Sequence, residues 1–201
     1  MYATVHQFRR SHADESEGWG HALAAELHPG TGSPGTCTLA QVGGLTGLVV
    51  ALWRDRGSAL AAAVRRTPGT SEARVYEVSD VESGAAEPRI AQATWFDRPL
   101  TRAEADAADF GGRMRIRPAV RGLRGVGGVG GIYVLTAEDR SSLVLGFTES
   151  IEALEAVQKT IMSTELLPGE DPALLPGPDR VDVHRVLHTS LPSLGLVGEP
   201  R

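Results

Sequence analysis

One pattern occurs twice in the chain and limits its possible folds more than any other feature. The first copy spans residues 47–64 (GLVVALWRDRGSALAAAV), and the second, 94 residues later, spans residues 141–157 (SSLVLGFTESIEALEAV). At that shift Trp53 aligns with Phe147. Each copy is an apolar run ending in an aromatic residue, then a short polar turn, then an Ala- and Leu-rich segment. The run predicts a strand and the segment a helix, so the repetition predicts two similar halves.

The remaining patterns complete both halves in the same order. In the first half, strands are predicted at residues 2–8, 36–42, 48–53 and 74–81, with helices at 19–27 and 57–66. In the second half, strands are predicted at residues 89–96, 131–137, 143–147 and 181–187, with helices at 150–162 and from Thr101 toward Pro118. Thr101 and Glu104 fit a capping box at the start of the latter helix. The predicted order is therefore β-α-β-β-α-β, twice.

This order predicts an α+β fold of two ferredoxin-like β-α-β-β-α-β repeats packed sheet to sheet. Each repeat has a four-stranded antiparallel sheet with both helices on one face. Residues 48–52 are apolar on both sides, so the other sheet face must also be covered, most simply by the other half. We expect domains at residues 1–84 and 85–190, joined by a linker at 82–88, and a loosely ordered tail at 191–201.

Composition excludes several classes of partner. The net charge of −5 argues against an electrostatic grip on nucleic acid or an anionic membrane, although residues 113–124 are locally basic. No apolar run approaches the roughly 20 residues of a membrane helix, and the start of the chain lacks a signal-peptide layout. We therefore expect a cytoplasmic protein. Its single cysteine, Cys37, excludes an internal disulfide and a cysteine-rich metal site.

Two sequence motifs match patterns for nucleotide or metal binding, but their predicted structural context does not fit those functions. Residues 125–130 spell G-x-G-x-x-G, but they precede a predicted strand instead of opening a helix, so we expect a flexible loop there. His184 and His188 are predicted to share one strand face about 13 Å apart, which is too far for a common metal ion. We expect neither a metal nor a cofactor.

His6 is the best candidate for an acid or base. It shares a strand face with Phe8, and a histidine facing a pocket can titrate near neutral pH. Trp53 ends the third strand with the small Ala51 on its own face, which leaves room for a flat ligand beside the indole. Glu77 on the fourth strand is expected to face inward. The alternative is that His6 and Trp53 are ordinary core residues.

The strand ending in Trp53 with its following helix, and residues 125–133 leading into the hairpin, resemble the antibiotic-biosynthesis monooxygenase family. The resemblance implies a dimeric α+β barrel, here as a fused dimer over residues 2–188. In the family's cofactor-free oxygenases, an Asn four residues before the third-strand Trp lines the pocket with it. Trp53 matches that Trp, the Asn position is Val49, and the second half has Leu143 and Phe147. Tyr133 matches a pocket tyrosine.

The resemblance implies a small enzyme acting on a hydrophobic aromatic or polyketide-type molecule. A substrate enolate would react with O₂ without metal or flavin, while the protein supplies a dry cavity and a proton acceptor. An isomerase or cyclase would use the same pocket, and a non-catalytic small-molecule-binding barrel is the second class of function. Convergent polar groups in a pocket distinguish an enzyme from a filled barrel. We expect the first half to be active and the chain to be a monomer (a pseudo-dimer) or a weak homodimer.

Overall fold

The computed structural model describes residues 1–9, 17–28, 33–84, 86–123 and 128–192. The first half contains β1 (Tyr2–Arg9), α1 (Glu17–Leu27), β2 (Gly35–Gln41), β3 (Thr46–Trp53), α2 (Arg56–Ala63) and β4 (Arg74–Ser83). The second contains β5 (Ile90–Phe96), α3 (Arg102–Gly111), α4 (Arg117–Gly122), β6 (Val129–Thr136), β7 (Ser142–Thr148), α5 (Ile151–Ser163) and β8 (Arg180–Thr189). Residues 125–127 of the glycine motif and residues 193–201 of the predicted tail lie outside the described residues, whereas Val129 and Gly130 of the motif begin β6.

Eight strands of the described chain close into one barrel, in the order β1-β3-β2-β8-β5-β7-β6-β4. Neighbouring strands are antiparallel throughout. Each half contributes four adjacent strands in the ferredoxin-like arrangement, and the halves join edge to edge at the β2–β8 and β4–β6 pairings. These two seams satisfy the backbone groups that an isolated half would leave unpaired. The predicted α+β fold with two ferredoxin-like repeats is confirmed.

The barrel interior is a single apolar core to which both halves contribute. It is formed by Ala3, Val5, Cys37, Leu39, Leu48, Val50, Leu52, Tyr76, Ala91, Ala93, Trp95, Tyr133, Leu135, Ala137, Leu143, Leu145 and Phe147. Burying one such large side chain stabilises the fold by about 1.5–3 kcal/mol. Because residues from both halves fill the same space, neither half can bury its inner face alone.

The helices cover the outside of the barrel. Helix α1 packs on β2, β3 and β8, α2 on β1, β3 and β4, and α5 on β5 and β7. Helix α1 lies close to the sheet, because a Cβ atom on Gly20 would be only 2.7 Å from the Cβ of Leu187. Much of β1, β2 and β3 is therefore buried on both faces. No helix in the described part of the chain is long and apolar enough to cross a membrane.

Local signals set the helix ends in the second half. Thr101 and Glu104 form the predicted capping box at the start of α3. Beyond Gly111 the helix does not break but passes through a π-helical turn, Gly112–Ile116, into α4. Arg121 in α4 donates to Glu82 of β4 over 2.8 Å, so this helix also ties across the β4–β6 seam. Strand β4 extends to Ser83, so the predicted linker is shorter than expected.

The strand register corrects the alignment of the two repeats. Strands β1 and β5 correspond at a shift of 88, so Tyr2 is equivalent to Ile90. Tyr2 pairs with Trp53, and Ile90 pairs with Thr148. The equivalent of Trp53 is therefore Thr148, at a shift of 95, and the alignment with Phe147 is wrong. One residue of slip reverses the face, so Phe147 points into the barrel while Trp53 points outward.

The predicted common face of His184 and His188 is also wrong. His184 pairs with Ala91, an interior residue. His188 pairs with Thr38, whose hydroxyl donates to the Gly20 carbonyl of α1 on the outside. The β2–β8 pairing shifts register between Thr38 and Leu39, and this irregularity interrupts the alternation of side chains between the two faces.

The seams predict how half of the chain behaves alone. A fragment of residues 1–84 leaves β2 and β4 as open edges and exposes the inner face with Val5, Val50 and Tyr76. We expect the fragment to self-associate or aggregate in size-exclusion chromatography with light scattering, with the full chain at equal concentration as the control. A monomeric fragment with native-like NMR dispersion would contradict the shared core.

Candidate functional site

Three of the predicted site residues lie together on the outer face of the first half. His6 and Phe8 of β1 and Trp53 of β3 point away from the barrel interior, beneath α1 and α2. Their exposed fractions are 0 %, 4 % and 7 %. His6 and Phe8 thus share a face as predicted, and Trp53 lies on the same side of the sheet.

His28, at the C-terminal end of α1, completes this group, although it was not predicted as a site residue. Its backbone N–H continues the helix by donating to the Ala24 carbonyl over 2.9 Å. Its ring centroid is 5.4 Å from that of His6 and 5.4 Å from that of Trp53. The side chain is only 6 % exposed. We call His6, Phe8, His28 and Trp53 the first-half cluster.

A single hydrogen bond defines the chemistry of His6. Its Nδ1 lies 3.1 Å from the Ser71 carbonyl oxygen, which can only accept, so the ring proton is on Nδ1. Nε2 therefore holds a lone pair, and this atom is buried with no hydrogen-bond partner in the described ranges. Ser71 is fixed in turn, because its N–H donates to the Gln7 carbonyl and its hydroxyl accepts from the Gln7 N–H. Burial lowers the pKa of His6, and the Ser71 hydrogen bond opposes that shift.

His28 is neutral for a stronger reason. Burial, then the neighbouring His6 and then Arg65, lower its pKa to about 3. Both of its ring nitrogens are buried without a hydrogen-bond partner in the part of the chain that the structure describes. A buried unsatisfied polar group costs about 1–3 kcal/mol. Three such nitrogens in two neighbouring rings indicate a place where a ligand can satisfy them.

Aromatic side chains form the walls of the cluster. The indole Nε1 of Trp53 donates to the Thr4 hydroxyl over 3.0 Å, which fixes the plane of the ring. Phe8 lies over Gly47, where a Cβ would be 2.3 Å from the Phe8 ring, and its edge meets Trp19 with centroids 5.2 Å apart. These rings provide a flat apolar surface beside two neutral imidazoles.

The structure does not bring the other two predicted residues to this cluster. Tyr133 points into the barrel interior, where its hydroxyl donates to the Pro192 carbonyl over 3.1 Å and its ring contacts Phe147. Burial raises the pKa of Tyr133 to about 12. Glu77, expected to face inward, is exposed, because its neighbour Tyr76 occupies the interior position of β4.

A separate cavity of about 100 Å³ opens at one end of the barrel. It is lined by Val5, Gln7, Ser71, Glu72, Arg74, Tyr76, Trp95 and Asp97. Its strongest polar groups are already paired: Arg74 binds Asp139 over 2.8 Å, and the Trp95 Nε1 donates to Asp182 over 3.0 Å. Ligand pockets are usually about 300 Å³ or larger. We place the candidate site at the first-half cluster because its buried ring nitrogens lack partners among the described residues and lie beside aromatic rings.

Metal and thiol chemistry have little support in the described chain. Within these residues, no group of three or more His, Cys, Asp or Glu side chains is arranged to hold a metal ion. Cys37 is fully buried, and burial raises the pKa of its thiol to about 12, so it does not form a thiolate at neutral pH.

Comparison with known proteins concerns this fold. No protein-family model matches the sequence, and no curated protein matches it. Among solved structures, an anthrone oxidase-like protein aligns with a TM-score of 0.60 at 15% identity, over 94% of this chain and 92% of that one. The chain has the dimeric α+β barrel fold. The predicted resemblance is thereby confirmed at the level of the fold.

Two further structures of this fold come from Listeria monocytogenes. A ferredoxin-fold protein related to antibiotic biosynthesis monooxygenases has a TM-score of 0.51 at 12% identity, with coverage of 92% and 95%. A heme-degrading enzyme has a TM-score of 0.53 at 10% identity, with coverage of 92% and 99%. At such identities the likeness concerns the fold and not the activity.

The buried state of His28 predicts a pH dependence of stability. Its pKa is about 3 when folded and about 6.5 when unfolded, so between these values the unfolded chain binds the extra proton. Stability contributed by the neutral ring is complete above pH 6.5 and is lost as the pH falls toward 3. Between pH 7 and pH 5, wild type should lose about 2 kcal/mol of unfolding free energy more than His28→Gln does.

Urea unfolding at the two pH values measures this difference. His184→Gln is the matched control, because burial also lowers the pKa of His184, to about 4, in the barrel interior. Between pH 7 and pH 5 the unfolding free energy of His184→Gln should also fall less than that of wild type. Equal pH profiles for wild type and His28→Gln would show that His28 titrates as an ordinary exposed histidine.

Proposed function

We propose that the protein is a monooxygenase-like enzyme that uses neither metal nor flavin and acts on a hydrophobic aromatic or polyketide-type small molecule. The observation that supports this most is the Nε2 atom of His6, which is buried and has no partner among the described residues. It carries a lone pair because the Ser71 carbonyl keeps the ring proton on Nδ1. A base within reach of an apolar ligand is what proton abstraction from such a molecule needs. The solved structures with the same fold include proteins named for oxidation and monooxygenation.

The reaction we propose divides into proton transfer and oxygen addition. His6 Nε2 removes a proton from the acidic position of the substrate, and the electron-rich carbon then bonds to O₂. Return of the proton to the terminal oxygen gives a hydroperoxide, and loss of one water leaves a carbonyl. A CH₂ group and one O₂ thus become C=O and H₂O. Trp53 and Phe8 would hold the flat ring by stacking and exclude water.

The second half lacks these chemical groups at equivalent positions. At the shift of 88, Thr94 takes the place of His6, and at the shift of 95 Thr148 takes the place of Trp53. Around Thr94 the polar groups are amides, because Gln92 donates to the Thr94 hydroxyl over 2.8 Å and accepts from Gln158 of α5. None of these three groups titrates near neutral pH. The proposed site therefore belongs to the first half.

An isomerase or cyclase is the second candidate. Two adjacent neutral imidazoles can remove a proton at one position and return it at another, which such reactions require. Oxygen consumption distinguishes the two candidates, since only the monooxygenase-like reaction uses one O₂ per turnover. A non-catalytic barrel that binds the same molecule would leave it chemically unchanged and would consume no O₂.

Two substitutions test the proposed roles, with anthrone as the probe substrate and oxygen consumption as the readout. His6→Gln keeps the size and hydrogen bonding but removes the base, so turnover should fall about 10²–10⁴-fold while affinity changes less than about threefold. Trp53→Leu should instead weaken binding by about 0.5–1.5 kcal/mol. Thr94→Val, at the position in the second half that corresponds to His6, is the control and should change neither quantity.

Unchanged turnover in His6→Gln would show that His6 is not the base. If both substitutions only lower the melting temperature, His6 and Trp53 are core residues and the cluster has no catalytic role.

A further inference from the structure

His28 has hydrogen-bonding capacity that the proposed reaction has not yet used. A neutral imidazole has one N–H donor and one acceptor nitrogen. Neither nitrogen of His28 has a partner among the described residues, although the ring is 94 % buried between His6 and Trp53. His28 does not donate to His6 Nε2, which is itself unpartnered. Its N–H is therefore available to a ligand in the first-half cluster.

The charges around the two rings favour a negative ligand. Besides burial and His6, Arg65 also lowers the pKa of His28. The positive charge of Arg65 disfavours a second cation at this place. Among the described residues, no carboxylate shifts the pKa of either His6 or His28. A metal ion would meet two neutral ligands and a nearby guanidinium. A developing oxyanion would meet an N–H donor in a positive field.

The spacing of the rings suits one oxygen atom. A hydrogen bond of about 2.8 Å to a ring nitrogen places an oxygen roughly 4 Å from the ring centroid. Because the centroids of His6 and His28 are 5.4 Å apart, one oxygen can lie at that distance from both. A phenol or enol O–H can then give its proton to His6 Nε2 and, at the same oxygen, accept a hydrogen bond from His28.

We propose that His28 is a second catalytic residue, whose ring N–H donates a hydrogen bond to the phenolate or enolate oxygen formed when His6 removes the proton. This rests on the proposed function and narrows its substrate class to flat phenols and enols. Because His28 stays neutral, it stabilises the oxyanion without returning a proton to it. The product of the first step is thus held as an anion while its carbon meets O₂.

Binding of 4-nitrophenol at fixed pH tests the proposal, because the absorbance of this probe reports its ionisation. Its methyl ether, 4-nitroanisole, has the same flat ring but no acidic hydrogen. In wild type, bound 4-nitrophenol should be more ionised than free 4-nitrophenol at the same pH. His28→Leu should weaken 4-nitrophenol binding by about tenfold or more, the size expected of a hydrogen bond to a charged group, with less than about a threefold change for the ether.

Two further variants separate hydrogen bonding from packing. His28→Gln keeps an N–H donor and should restore 4-nitrophenol binding to within about threefold of wild type. His184→Leu removes another buried histidine with an unpartnered Nδ1, outside the cluster, and should change neither affinity. Equal losses for phenol and ether in His28→Leu would show a packing role and overturn the proposal.

The outcomes also separate this proposal from the proposed function. If wild type does not ionise 4-nitrophenol, or His6→Gln ionises it equally well, the base assignment fails and this proposal fails with it. If His6 behaves as proposed but His28→Leu binds 4-nitrophenol as wild type does, only the role of His28 is overturned. Should His28→Leu not fold, ¹⁵N NMR of the wild-type His28 ring decides: its N–H resonance should shift when 4-nitrophenol binds, and an unchanged resonance overturns the proposal.

Discussion

Closure of the barrel is the constraint on which the rest of the structure depends. The β2–β8 and β4–β6 pairings join the halves, and the space they enclose is filled by apolar side chains from both. That core includes Tyr133 and Phe147, so large rings on the inner face pack against protein. The unpartnered ring nitrogens of the described chain's first-half cluster lie instead on the outer face, between strands and helices, where His6, His28 and Trp53 are found.

The first-half cluster combines rigid walls with unsatisfied nitrogens. The Ser71 carbonyl fixes the tautomer of His6, and the Thr4 hydroxyl fixes the indole of Trp53. The free ring nitrogens of His6 and His28, in contrast, each cost about 1–3 kcal/mol where no partner exists. A fold that keeps such groups buried and orients the ring beside them has the features expected of a preorganised binding site.

Much of the fold follows from local sequence patterns. The repeat at Trp53 and the Thr101–Glu104 capping box predicted element order and helix starts, because periodicity and caps are local signals. Register is not local: the faces of Phe147 and His188 depend on pairings between distant strands, and one residue of slip reverses them. His28 was missed for a similar reason. It follows the Leu-rich stripe of α1, but its place beside His6 depends on how α1 packs on the sheet.

The protonation state of the two cluster histidines tests the account most directly. In ¹⁵N-histidine NMR at pH 6, below the usual histidine pKa of about 6.5, His28 should be neutral, and His6 should be less protonated than an ordinary histidine, with the proton of its neutral form on Nδ1. Adding 4-nitrophenol should then protonate His6 Nε2 and leave His28 neutral. Both rings cationic at pH 6, or the His6 proton on Nε2 before the phenol is added, would contradict a buried base held by the Ser71 carbonyl.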